Sequence, residues 1–193
     1  MRKILNVFFA RDKRVCPSWC CFTFDNFVRR LFQDPVRILS PYVRAGSIAI
    51  DIGSGKGFFS GALCHLVGDR GRVIAVDIQQ RMLDSLVRRV QRRGLAERLE
   101  THLSSPDEFG ITSQADFILA FWMVHEVPDQ TQFFEQVAHL LKPTGTFLVA
   151  EPYLHVTKRA FSRTVEMAVR ANLKTVGSPR IAFSRTALFS LAI

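Results

Sequence analysis

The sequence predicts an α/β protein built on a doubly wound, largely parallel sheet with helices on both faces. Three observations point to it. The apolar segment Ile48–Ile52, which carries Asp51, runs straight into Gly53-Ser54-Gly55-Lys56-Gly57, a strand followed by a turn with glycine at alternate positions. A second apolar segment, Arg72–Asp77, ends in another acid. From there strand-like and helix-like patterns alternate, and Ala115–Phe121 is almost wholly apolar, as a strand covered on both faces requires.

Taken in order, the elements follow from spacing and punctuation. Phe58–Val67 reads as the first helix, closed by the turn Gly68-Asp69-Arg70-Gly71. After the strand ending at Asp77, a helix is expected over about 79–93, with Met82, Leu83, Leu86, Val87 and Val90 inward and Gly94 as its stop. A third strand is expected at Leu99–Leu103, leading into the loop Ser104-Ser105-Pro106-Asp107-Glu108. The fourth, Ala115–Phe121, opens into Trp122–Gln130, and the helix after it carries Phe133, Phe134, Val137, Ala138, Leu140 and Leu141. The turn Lys142-Pro143-Thr144-Gly145 then introduces a strand over Thr146–Pro152. The tail reads as a helix over Thr157–Ala171 and two strands, near Lys174–Val176 and Ile181–Phe183. Upstream, Phe24, Phe27, Val28, Leu31 and Phe32 follow helical spacing before Pro35 and Pro41. The expected organisation is one domain over residues 1–193, with an N-terminal helical segment over 1–40 and the sheet over 41–193.

Composition bounds the function. At 193 residues, 48% hydrophobic and 22% charged, the chain has an ordinary globular make-up and enough length for one core. It has no apolar run of the ~20 residues that a membrane-spanning helix needs, and the basic, partly apolar N-terminus is too soon interrupted by charge for a signal peptide. A cytoplasmic protein is expected. The net charge of +9 invites a nucleic-acid reading, but Arg81, Arg88, Arg89, Arg92 and Arg93 fall on the outer face of one helix. A solvated face and a contact with RNA or another anionic surface both remain open. Cys16, Cys20 and Cys21 lack the spacing of a redox pair or zinc knuckle, and no metal is expected. They read as packed small hydrophobes or as a soft-atom site.

The glycine turn narrows the ligand. The dinucleotide pattern G-x-G-x-x-G, started at Gly53, needs glycine at 58 and meets Phe58. A phosphate-binding loop ending at Gly55-Lys56 needs glycine at 50 and Ser or Thr at 57, where the chain has Ile50 and Gly57. The remaining pattern, acid-x-G-x-G-x-G, resembles motif I of the class I S-adenosylmethionine-dependent methyltransferases. FILAFWMVHEVPD followed by LLKPTGTFLVAEP resembles the later motifs of that family's small-molecule branch, including quinone-pathway enzymes, and the likeness covers about residues 35–155. It implies a Rossmann-like seven-stranded sheet with an antiparallel last strand, and S-adenosylmethionine as cofactor. It places Gly53, Ser54, Gly55 and Gly57 around the methionine part, and Asp77 with the neighbouring Ile78 at the ribose. It puts Ala120 or Phe121 backbone at the ammonium, and Asp51 as the residue fixing the turn and that side. For adenine, the family's acid after the third strand is replaced by Ser104 or Ser105, with Asp107 slightly later. Trp19, Phe22 and Phe24 are candidate pocket residues, since the family's leading segment commonly covers the cofactor.

Methyl transfer demands alignment, exclusion of water and, for some acceptors, removal of a proton. His125 and Glu126 are the adjacent acid/base candidates beside the expected acceptor face, with His155 a further one. The alternative for His125 is packing against the cofactor loop, with Glu126 as a cap or ion-pair partner. The chain lacks the Asn/Asp-Pro-Pro-aromatic motif of many amino- and adenine-directed methyltransferases, and carries Ala120-Phe121-Trp122-Met123 there. The expected enzyme therefore methylates a small molecule. A nucleic-acid methyltransferase using the arginine face and a cofactor-binding protein without turnover are the alternatives.

Overall fold

A computed structural model describes residues 32–192. The elements are α1 (Pro35–Leu39), β1 (Ile48–Ile52), α2 (Ser60–Val67), β2 (Arg72–Asp77), α3 (Gln80–Gln91), β3 (Leu99–Leu103), β4 (Ala115–Phe121), α4 (Gln130–Leu140), β5 (Leu141–Pro152), α5 (Lys158–Arg170), β6 (Leu173–Gly177) and β7 (Ser184–Leu191), with short 3-10 turns at Ala96–Arg98 and Val124–Glu126. The strands form one seven-stranded sheet in the order β3-β2-β1-β4-β5-β7-β6. Neighbours from β3 to β5 pair in parallel, and β7 runs antiparallel to both β5 and β6. This is the Rossmann-like, doubly wound sheet that the alternating patterns predict.

The period of two in the central strands sorts their side chains between two cores. Ile50, Ile118, Ala120, Phe147 and Val149 join Phe133, Phe134 and Val137 of α4 and Ala168 of α5 on one face. Ala49, Phe117, Leu119, Leu148 and Ala150 join Leu39 of α1, Leu63 and Cys64 of α2, and Leu86 and Val90 of α3 on the other. The starts of α1, α4 and α5 are set by side-chain caps: Asp34 accepts from Val36 N–H, Asp129 from Gln132 N–H, and Thr157 from Ala160 N–H. The end of α3 is set by Gly94, whose φ of 68° continues the chain out of the helix.

Several expected boundaries move. Phe58 and Phe59 lie in the turn before α2, both buried, because the glycine loop takes longer to hand over to a helix. The Lys142–Gly145 segment is drawn into β5 with a register shift against β4. There Lys142 Nζ donates to both oxygens of Asp116, whose Oδ2 also accepts from Ile48 N–H at 2.8 Å. The last strand is Ser184–Leu191 and not Ile181–Phe183. Phe183 has φ 60° and forms the bend that delivers β7, so the apolar residues before it read as a strand without being one. The expected N-terminal helix, the cysteines at 16, 20 and 21, and Trp19, Phe22 and Phe24 lie outside the described residues.

No helix among the described residues is long and apolar enough to cross a membrane. Phe147 tests the α4 face of the core. It is fully buried, with ring centroids 5.9 Å from Phe189 and 6.2 Å from Phe134. Phe147→Ala should cost about 3–5 kcal/mol in urea unfolding, and a loss below about 1 kcal/mol would show that the site collapses freely.

Candidate active site

The strand order reverses between β1 and β4, so their carboxyl ends flank a crevice where the sheet splits its connections. A cavity of about 330 Å³ fills it. One wall is Asp51, Gly53, Ser54, Gly55 and Asp77, and the opposite wall is Phe121, Trp122, Met123, His125 and Glu126. Ile78, Ser104 and Ser105 line it as well.

The glycine loop is shaped by bonds to β2. Gly53 and Ser54 N–H both donate to the Val76 carbonyl, at 2.9 and 3.0 Å, and Gly55 N–H donates to Asp77 Oδ2 at 2.9 Å. Each glycine then has its own reason. Gly53 combines φ 70° with the Met123 side chain, whose Cγ would lie 2.8 Å from an added Cβ. Gly57, at φ 77°, is pressed against Leu86 and does not line the cavity. Gly55 has φ 53° and nothing within 4 Å of a Cβ, so its open side is available to a ligand approaching the backbone.

Asp51 and Asp77 are buried carboxylates in this wall, at 3% and 8% exposure. Asp77 Oδ1 accepts from Gln79 N–H at 2.9 Å, and burial, opposed by these backbone bonds, pushes its carboxyl up. Asp51 Oδ2 accepts from Ser60 Oγ–H at 2.5 Å, which ties it to the first residue of α2 and not to the turn backbone. Burial, with the like charge of Asp77, raises its carboxyl to about 7 despite the Ser60 bond. Ser54 Oγ is buried and, among the described residues, has no hydrogen-bond partner. An orphaned hydroxyl and two underused carboxylates on a cavity wall fit a ligand that brings donors and positive charge.

The other wall is strained and hydrogen-bonded. Trp122 takes φ 59°, a conformation costly for a bulky residue, and is held there by Trp122 N–H on the Ala150 carbonyl at 2.7 Å and by Nε1–H on Ser184 Oγ at 2.8 Å. His125 and Glu126 fall on the 3-10 turn after it, with Nε2 to Oε1 at 4.0 Å. The closer partner of His125 is Glu151, 2.5 Å from Nδ1 and only 1% exposed. Burial opposes charge on the ring, but the bond and charge of Glu151, with Glu126, outweigh it and hold the imidazole above its usual value.

Of the residues expected at the site, Asp51, Gly53, Ser54, Gly55, Asp77, Ile78, Ser104, Ser105, Phe121, His125 and Glu126 meet at this cavity. Gly57 and Ala120 do not; Ala120 is fully buried between Ile52 and Val149 in the sheet. Asp107 also stays outside it, its carbonyl accepting from Gln136. His155 joins the site, its ring 5.9 Å from that of His125. Glu151 was missed as a partner of His125. Its signal was an acid ending an otherwise apolar strand, the same placement as Asp51 and Asp77. The arginine face is mixed: Arg81, Arg88 and Arg92 are exposed, whereas Arg89 donates to the Lys56 carbonyl of the glycine loop at 3.1 Å.

Comparison with known proteins decides the family. The family model described as a methyltransferase domain matches residues 44–178. The chain belongs to this methyltransferase family. Quinone-pathway methyltransferases are among the proteins it resembles. A demethylmenaquinone methyltransferase of Lactobacillus johnsonii is 29% identical over 110 residues, covering 56% of this chain and 45% of that protein. A ubiquinone/menaquinone biosynthesis C-methyltransferase of Shewanella frigidimarina is 27% identical over 109 residues, 56% of this chain and 43% of that protein. The matches thus span under half the length of these curated relatives. A solved S-adenosylmethionine-dependent methyltransferase of Aquifex aeolicus shares the fold, with a TM-score of 0.81 and 19% identity over 91% of this chain and 98% of that one. Aeropyrum pernix fibrillarin, solved with natively bound S-adenosylmethionine, superposes with a TM-score of 0.61 at 15% identity, covering 80% and 72%.

The buried acid of this methyltransferase domain gives a pH signature. Because the Asp51 carboxyl is raised from 3.8 to about 7 in the folded chain, its contribution to stability is complete below about pH 4 and is lost as the pH climbs towards 7. Asp51→Asn removes that titration. Between pH 4 and pH 8 the variant should gain on the order of 2–4 kcal/mol relative to the ligand-free wild type in urea unfolding, and parallel pH profiles would show that Asp51 does not titrate there.

Proposed function

We propose that this domain binds S-adenosylmethionine and transfers its methyl group to a small-molecule acceptor of the kind used by its quinone-pathway relatives. The observation that carries the reading is one continuous cavity joining the glycine loop and Asp77 to His125. Bound S-adenosylmethionine supplies a methyl group on a positively charged sulfur, which keeps the bonding electron pair when the methyl leaves. The chain's own groups do the rest. Asp77, held by Gly55 and Gln79 N–H, presents its remaining lone pairs to the ribose hydroxyls. Asp51, Ser54 and the open side of Gly55 receive the amino-acid part, where the orphaned Ser54 hydroxyl gains a partner and the raised Asp51 carboxyl ionises against an ammonium. Ile78 lies beside Asp77 at the ribose, Ser104 and Ser105 flank the adenine, and the Phe121 backbone flanks the ammonium. Trp122, Met123 and Phe133 exclude water around the reacting atoms. His125 stands on the acceptor side as the proton acceptor, with Glu126 beside it.

Calorimetry on the purified chain tests the cofactor. S-adenosylmethionine and S-adenosylhomocysteine should bind in preference to NAD, and equal or tighter NAD binding would overturn the assignment. Asp77→Ala should weaken cofactor binding by about 1.5–3 kcal/mol, the loss of charge-assisted hydrogen bonds. Unchanged affinity in the folded variant would remove Asp77 from the ribose. For His125→Ala, cofactor affinity should hold while kcat falls by roughly 10²–10⁴-fold; joint loss of both would reduce His125 to a packing residue.

A further inference from the structure

We infer that Glu151 is a positioning residue for His125: it selects the ring tautomer whose Nε2 accepts a proton at the cavity, and so commits the site to acceptors that lose a proton during transfer. This rests on the methyl-transfer reading above. Three geometric facts carry it. Glu151 ends β5 with 1% of its surface exposed, behind His125 as seen from the cavity, which His125 lines and Glu151 does not. Both of its oxygens are engaged. Oε1 takes Val124 N–H at 2.9 Å, and Oε2 lies 2.5 Å from His125 Nδ1. The carboxylate is therefore anchored by the backbone of the same 3-10 turn that carries the ring, and a carboxylate in this position accepts. Nδ1 must donate. The neutral ring then has its lone pair on Nε2, on the opposite edge.

The surroundings suit an imidazolium formed there. The titratable groups facing the ring are Glu151 from β5, Glu126 from the 3-10 turn with its Oε1 4.0 Å from Nε2, and His155 from the segment after β5. Gln130 of α4 bears on the same turn without charge, donating to the Val124 carbonyl at 2.9 Å. Two carboxylates against one further imidazole favour the charged ring. The step balances simply. As the acceptor atom forms its bond to the methyl carbon, the bond from that carbon to sulfur breaks and its electron pair stays on sulfur. The acceptor's proton passes to Nε2. An acceptor with no proton on its reacting atom, such as a tertiary amine or a thioether, has no use for this arrangement.

The test is nitrogen-15 NMR of the His125 ring in the full chain, ligand-free, as a function of pH. In the wild type Nδ1 should remain protonated throughout while Nε2 titrates, with a midpoint above the ordinary 6.5. Glu151→Gln should lower that midpoint by about one to three pH units, the effect of removing a carboxylate in contact. A wild-type ring that is protonated on Nε2 above its midpoint would overturn the proposal, and this result does not depend on any variant folding. An unchanged midpoint in folded Glu151→Gln would overturn it too. Methylation of a tertiary amine at a rate indifferent to His125→Ala would overturn the acceptor class. Titrating the same samples with S-adenosylhomocysteine separates the two readings: failure to bind it would refute the cofactor assignment and leave the ring measurement to judge Glu151.

Discussion

Everything at the site depends on how the chain leaves β1. That strand lies between β2 and β4, so the first backbone groups beyond it emerge from a fully paired environment and still need partners. They find them on the end of β2, where the Val76 carbonyl serves two amides and the Asp77 carboxylate a third. The first three residues of the loop are therefore bonded to the neighbouring strand. The same bonds that satisfy the backbone set its left-handed glycine conformations and leave Gly55 facing open space.

Three acids stand at the carboxyl ends of parallel strands or one residue before the end, Asp51 on β1, Asp77 on β2 and Glu151 on β5. Burying carboxylates is expensive unless hydrogen bonds or charges compensate. The compensation differs at each, and the difference divides the labour. Asp77 has backbone donors and is a rigid acceptor. Asp51 has one hydroxyl, and burial raises its carboxyl to about 7. Glu151 has a backbone amide and an imidazole against its two oxygens.

Much of this was legible in the sequence because the decisive signals are local. The boundaries of β2 and β4 coincide with the apolar runs, since a strand buried on both faces carries charge only at or next to its ends. The glycine spacing excluded a dinucleotide and a phosphate loop before any geometry was known. What stayed hidden was long-range. Glu151 lies 26 positions from His125, and no periodicity within either segment relates them. The choice of Ile181–Phe183 as a strand failed for a related reason: β-propensity was read without the left-handed bend at Phe183, which only the docking of β7 on β5 imposes. Ala120 and Phe121 were alternatives for a backbone contact because the strand end was legible only to within one residue, and of the two Phe121 lines the cavity.

The strand order has a consequence for synthesis. β5 acquires its outer neighbour from residues 184–191, the last regular element among the described residues, and until those residues have been made its outer edge has no partner from within the sheet. That edge belongs to the run Phe147-Leu148-Val149-Ala150, apolar on both faces, which is the kind of segment that templates pairing between chains. A ribosome releasing this protein thus exposes its stickiest strand during the interval in which α5, β6 and β7 are still being translated. Loss of Ser184–Leu191 would leave that edge of β5 unpaired and would also remove Ser184, the hydroxyl that holds the Trp122 indole at the cavity.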